Sequence, residues 1–308
     1  MQMDKVLPGT THAVLGFIRQ RWADLVQVAL LPMAIVVAIV VAQYLAMRPL
    51  FASFFDMAAS GQVNPQMFGR IMQFYGFIAL GGLISMLVFV WLYVRIVRLH
   101  ALDENSWVGL NGTVIKATLM TAVYGIGIYL LTVVAYVAAA IVLMILVVAS
   151  TAIAATAGNS GWIQALFAIL AIPVFTALPL FLVWFFCRFM VGLPAVALGR
   201  SPDFFSEMWA LSKGESWGVP LRLLFGFLIF FVIAIPVMAL AMWPMIAEIS
   251  ELAKTAEGGR PTPEMFETMM NRMAPVQVAM LVIQIPFIWY SVLIFAEAYK
   301  RFTAKRRP

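Results

Sequence analysis

The sequence predicts an all-α, polytopic membrane protein: six transmembrane helices arranged as three repeated helical hairpins, with short amphipathic helices at the interface. Three observations carry that prediction. The 308-residue chain is 64% hydrophobic and only 11% charged, whereas a soluble domain carries about 25% charged residues. Its apolar residues gather into six uncharged blocks: Leu25–Met47, Ile71–Val94, Ala117–Thr156, Trp162–Cys187, Leu223–Ala247 and Met273–Ala296. Finally, "NPQMFGRIM" at Asn64–Met72 returns as "TPEMFETMM" at Thr262–Met270.

A helix needs about 20 apolar residues to cross a bilayer, and each block is long enough. In the first, twelve Leu, Ile and Val residues contribute roughly −4 to −7 kcal/mol towards insertion, with no charge to oppose them. The third block exceeds one ordinary span. Beyond Ala140 it is expected to leave the membrane or to lie along it.

Between the blocks lie short amphipathic stretches. Val14, Phe17, Ile18 and Trp22 recur at helical spacing before the first span, and Trp107 with Leu110 gives a shorter version. In "SPDFFSEMWALSKGESW", Ser201 reads as an N-cap and Pro202 as a first-turn residue. Phe205, Met208, Trp209 and Ser212 then share a face, and Gly214 is a stop signal. Such segments suit the headgroup region, where Trp is favoured, or the underside of a bundle.

The repeat organises these elements. An offset of 198 residues carries Pro65 to Pro263, Phe68 to Phe266 and Trp91 to Trp289. A middle copy aligns "VWLYVRIV" (90–97) with "VWFFCRFM" (183–190), placing Trp91 on Trp184 and Arg95 on Arg188. The third copy, "IWYSVLIF" (288–295), has Leu293 in place of Arg. The chain therefore reads as one membrane domain over 1–308, with hairpin units at about 12–100, 101–198 and 199–303. Asn64 and Thr262 are N-cap residues and the following Pro suits a first turn, so each motif starts a returning helix.

With six spans both termini share a side. That side collects fifteen of the 20 Lys and Arg residues, which makes it cytoplasmic by the positive-inside rule. The opening residues lack a short apolar region with a small-residue cleavage site, so the first span is expected to be a retained anchor. The basic charge lies at membrane borders, where anionic lipid is the partner rather than nucleic acid.

Candidate chemistry is sparse. His12 and His100 are far apart, Cys187 stands alone, and no metal-ligand spacing or P-loop occurs. The six blocks contain no ionisable Asp, Glu, Lys, Arg or His, which disfavours a proton relay or a buried hydrolase. No catalytic, cofactor or metal site is predicted. Gly81 with Ser85, and Ala135 with Ala139, have the spacing that lets membrane helices approach closely. Pro32, Pro173, Pro179, Pro236, Pro244 and Pro286 lie in spans and favour kinks. At the cytoplasmic border Glu297 is a candidate ion-pair partner for Arg188 or Arg95; the alternative is that each snorkels separately to water. Arg95, Arg98, Arg188 and Arg200 are candidate contacts for lipid headgroups.

The stretch "CRFMVGLPAVALGRSPDFFSEMWALSKGESWGVPLRLL" (187–224) resembles a pattern in bacterial six-span proteins. These include the YciC-like inner-membrane proteins and the membrane domain attached to some glycerophosphodiester phosphodiesterases. The shared features are Arg188 at the end of a span, Pro194 soon after, an amphipathic helix, then Ser212 and Trp217. The resemblance implies a bacterial cytoplasmic membrane and a tie to lipid or envelope homeostasis. It does not imply hydrolysis, because the catalytic domain is missing and both His12 and His100 are followed by Ala. The expected function is a non-enzymatic, lipid-facing scaffold or envelope factor, with membrane lipids and membrane proteins as partners. The alternative is a permease for an apolar or lipid-like cargo.

Overall fold

Five of the six apolar blocks lie inside described helices, most of which run past them, and of the fourth block only 177 and 179–187 are described. The computed structural model describes residues 9–60, 65–105, 111–156, 177, 179–203, 206–213, 217–255 and 263–305. In order these form α1 (Thr10–Gln20), α2 (Trp22–Ser60), α3 (Pro65–Leu102), α4 (Gly112–Thr156), α5 (179–190), α6 (Leu193–Ala197), α7 (Ser206–Leu211), α8 (Gly218–Thr255) and α9 (Pro263–Lys305). No strand occurs among the described residues.

Six segments are long and apolar enough to cross a membrane: Trp22–Met47, Ile71–Leu102, Gly112–Ala138, Pro179–Ala197, Gly218–Glu248 and Pro275–Lys305. The long third block is one continuous helix to Thr156, 45 residues in all. At 1.5 Å per residue that is about 67 Å, more than twice the roughly 30 Å of hydrocarbon. α2, α3, α8 and α9, with 38–43 residues each, also overshoot. α3 and α9 both begin on the proline of the repeated motif, Pro65 and Pro263. Asn64, Thr262, Trp107, Leu110, Pro173, Phe205, Gly214 and the side chain of Ala139 lie outside the described residues.

The chain sorts into two compact units. One combines His12–Val114 with Leu223–Leu293. It holds α2 and α3, packed against each other, with most of α1, α8 and α9. Gly81 is the close approach expected of it: a Cβ there would sit 2.4 Å from Gln43 Nε2 and 3.2 Å from Ile39 on α2. Buried side chains gather on α2 at Leu25, Val28, Met33 and Val36 and on α3 between Val88 and Leu99. On α8, by contrast, Leu240 is 76% exposed and Trp243 is 72% exposed. The interior of this unit thus lies towards the helix ends that carry Arg95 and Arg98. The other ends present apolar surface, as a lipid-facing helix does.

The second unit combines Met1–Thr11, Ile115–Arg222 and Ile294–Pro308. Its buried residues follow the same rule, running over α5 and α6 from Cys187 to Ala197 and along α9 from Ile294 to Phe302. α6 closes in a Schellman turn: Arg200 N–H reaches the Ala195 carbonyl at 2.9 Å and Gly199 N–H the Val196 carbonyl at 2.9 Å. Gly199 supplies the required positive φ of 84°.

The amphipathic segment after it differs from the sequence reading. Ser201–Asp203 are not helical and α7 is described only from Ser206. Asp203 outcompetes Ser201 as the organising residue. Its carboxylate accepts from Ser206 Oγ at 2.6 Å, and its N–H donates to Glu207, four residues on, at 3.2 Å. Pro202 is left outside, where its carbonyl accepts the Tyr124 hydroxyl at 3.0 Å. Met208 and Ser212 face inward as expected. The segment before the first span follows the sequence reading. Val14 is buried, Phe17 meets His100 edge-on at 4.7 Å, and Trp22, the first residue of α2, is 62% exposed, as the headgroup alternative expects.

Candidate functional site

A guanidinium taken out of water needs donors satisfied and charge dispersed. In the unit that holds α5, Arg188 finds both. The helix places Trp184 one turn before it, and the turn at Gly192 brings α7 alongside. That approach is close, since a Cβ on Gly192 would lie 2.4 Å from Met208 Cγ. The Arg188 guanidinium lies 3.8 Å from the Trp209 ring centroid and 5.1 Å from that of Trp184. Arg188 Nε donates to Ser212 Oγ at 3.0 Å and Nη2 donates to the Trp209 carbonyl at 3.1 Å. Trp217 stacks at 6.3 Å from Trp184. A cation between two aromatic faces gains about 0.5–2 kcal/mol per face. The residues singled out in the 187–224 stretch, Arg188, Ser212 and Trp217, therefore belong to one cluster.

Arg95 occupies the aligned position in the other unit, again one turn after a Trp, with its guanidinium 5.4 Å from the Trp91 ring. Its Nη1 donates to the Val28 carbonyl at 2.7 Å. That carbonyl lacks its helical donor, because residue 32, four positions on, is proline. A buried Arg therefore satisfies a proline-freed carbonyl and ties α3 to α2.

The remaining candidates are also placed. Arg98 is buried and makes a forked bond to Glu104, at 2.7 and 2.8 Å. Arg200 is exposed and donates to the Tyr299 hydroxyl at 3.3 Å. It borders a polar hollow of about 360 Å³ with Ser201, Glu207 and Thr303. Glu297 accepts from Arg301 at 2.7 Å, one turn along α9. Arg188, in the same unit, is held by Ser212 and the Trp209 carbonyl. Of the four headgroup candidates, Arg95, Arg98 and Arg188 are buried and Arg200 is exposed.

The unit that holds α2 and α3 also contains an apolar pocket of about 420 Å³ between α1, α8 and α9. Phe225, Ile229 and Ile233 form one stripe of α8, facing Ile283 and Phe287 near Pro286 on α9. Its floor exists because residue 226 is glycine; a Cβ there would lie 2.3 Å from the Tyr290 ring. Among the described residues no group of His, Cys, Asp and Glu is arranged to hold a metal ion.

Comparison with the models of known families, with characterised proteins and with solved structures finds no match to this chain. Sequence reasoning missed Val28, Trp209 as a cation partner, and the α1–α8–α9 pocket. A signal for the first was present: a Pro in a span orphans a named carbonyl, and an Arg at a span end is a donor able to reach one.

Proposed function

We propose that the chain is a non-enzymatic integral protein of a bacterial cytoplasmic membrane, with both termini cytoplasmic, that acts as a lipid-facing scaffold or envelope-homeostasis factor. One observation carries this reading. Arg95, Arg98 and Arg188, the buried cations at the span ends, are bound to protein groups, so they brace the bundle rather than line a polar path. The repeat in the sequence and the resemblance over 187–224 support the same reading. Proteoliposomes test it. Reconstituted protein is expected to leave the transbilayer movement of labelled phospholipid unchanged, while depletion in cells weakens resistance to envelope stress. Phospholipid movement that rises with protein content would overturn it.

That outcome would favour a second reading, a permease for an apolar or lipid-like cargo. The pocket beside Pro286 supports this alternative, because an apolar cavity beside a span with an internal proline is where an apolar cargo would enter.

A further inference from the structure

We propose that the α1–α8–α9 pocket holds an acyl chain of an anionic phospholipid, with its phosphate on Arg19. This rests on the lipid-facing reading above and names the lipid class.

The pocket fits a chain rather than a compact polar ligand. Its volume of about 420 Å³ lies within the roughly 300–1,000 Å³ of small-molecule sites, yet its lining is aliphatic and aromatic. From Phe225 to Ile233 it follows α8 for about 12 Å, close to the thickness of one hydrocarbon leaflet, about 15 Å. Phe225, Ile229 and Ile233 are also exposed, so the pocket opens sideways, to where lipid lies.

A cation in helical register with the pocket's α1 residues selects the headgroup. Leu15, Ile18, Arg19 and Trp22 recur on one side of the α1–α2 junction. The first two line the pocket. Trp22 is exposed, as a residue at headgroup level is. Arg19 is exposed, with no ion pair or hydrogen-bond partner among the described residues. Its neighbour Arg21 is instead bound to Asp24 at 2.8 Å and to Asp103. A free cation one helical turn from the lining residue Leu15 is complementary to a phosphate carrying an acyl chain.

Photolabelling of the full chain tests this. The protein is reconstituted in phosphatidylcholine vesicles containing phosphatidylglycerol with a photoreactive acyl chain. Parallel samples carry the same group on phosphatidylcholine or on a free fatty acid. Crosslinked peptides should concentrate on residues 225–233 and 283–290, and unlabelled phosphatidylglycerol should compete them away. Ile229→Trp, which fills the slot from an exposed position, should remove them, whereas Leu240→Trp on open α8 surface should not. Arg19→Gln should reduce the preference for phosphatidylglycerol over phosphatidylcholine about fivefold. If Ile229→Trp misfolds, as circular dichroism would reveal, competition in the unmodified protein decides. Uniform labelling of every lipid-facing helix, no competition, or equal labelling by fatty acid that ignores Arg19 would overturn the proposal. None of those results would produce protein-dependent lipid movement, so the scaffold reading stands or falls separately.

Discussion

Arg95 donates a 2.7 Å hydrogen bond to the carbonyl of Val28, the acceptor that Pro32 leaves without a helical partner. Each half of the arrangement is costly alone. An unpaired carbonyl in an apolar interior costs about 1–3 kcal/mol, and a buried guanidinium without acceptors costs several kcal/mol more. Together they join two spans by a bond that neither helix can satisfy internally.

That dependence is measurable. Arg95→Met should destabilise the protein by about 2–4 kcal/mol, from the orphaned carbonyl and the lost contact with Trp91. Pro32→Ala restores an N–H for Val28. In that background the cost of Arg95→Met should fall by about 1 kcal/mol or more. Unfolding in mixed micelles across the four-member cycle gives the coupling; additive effects would refute the link.

Arg188 makes a different prediction, because its site recognises shape as well as charge. Lysine keeps the charge but cannot lie flat on Trp209 while reaching Ser212 and the Trp209 carbonyl. Arg188→Lys should therefore cost about 2 kcal/mol, and Ser212→Ala about 1 kcal/mol. Tryptophan fluorescence should shift in Arg188→Lys as Trp184 and Trp209 lose their shared cation. A lysine variant as stable as the parent would mean that charge alone matters.

These two arginines mark how far the sequence could be read. The six spans were legible because insertion depends on composition, which local counting captures. The helix starts at Pro65 and Pro263 were legible because proline suits a first turn. Helix length was not. The uncharged blocks end where charges begin, whereas α3 runs on past Arg95 and Arg98 to Leu102, because a charge limits insertion and not helix formation. The start of α7 is not legible in the sequence, because Ser201 and Asp203 both have cap chemistry and only the fold chooses between them. Arg188, Ser212 and Trp217 form a pattern in the sequence, but that Ser212 binds Arg188 depends on the turn at Gly192, which spacing does not encode.

Two glycines separate close approach from conformational need. At Gly81 the nearest atom to an added Cβ is Gln43 Nε2, at 2.4 Å, the end of a flexible side chain. Gly81→Ala gains up to about 1 kcal/mol in helix propensity and should be near neutral once Gln43 swings aside. At Gly226 the obstacle is the Tyr290 ring at 2.3 Å, which is buried and rigid. Gly226→Ala should cost about 1–3 kcal/mol, and Tyr290→Leu should recover part of it. Thermal unfolding in detergent compares the four proteins.

The last prediction concerns where the interior lies. Leu92 on α3 is 1% exposed, whereas Leu240 on α8 is 76% exposed. In water the second would be a defect. In a bilayer it is not, because lipid tails are as apolar as leucine and take the place of protein contacts. Leu92→Ala removes packed methyl groups and leaves a cavity, so it should cost about 2–5 kcal/mol. Leu240→Ala should cost well under 1 kcal/mol in vesicles, because lipid fills the space. Leu240→Lys should behave oppositely, since a lysine at the centre of a span opposes insertion by about 2.5–3.5 kcal/mol. Measuring all three in vesicles distinguishes a lipid-facing surface from a hidden protein interface. If Leu240→Ala destabilised the chain as much as Leu92→Ala, that face of α8 would be buried against protein in the membrane. The pocket beside it would then open onto that partner rather than onto lipid.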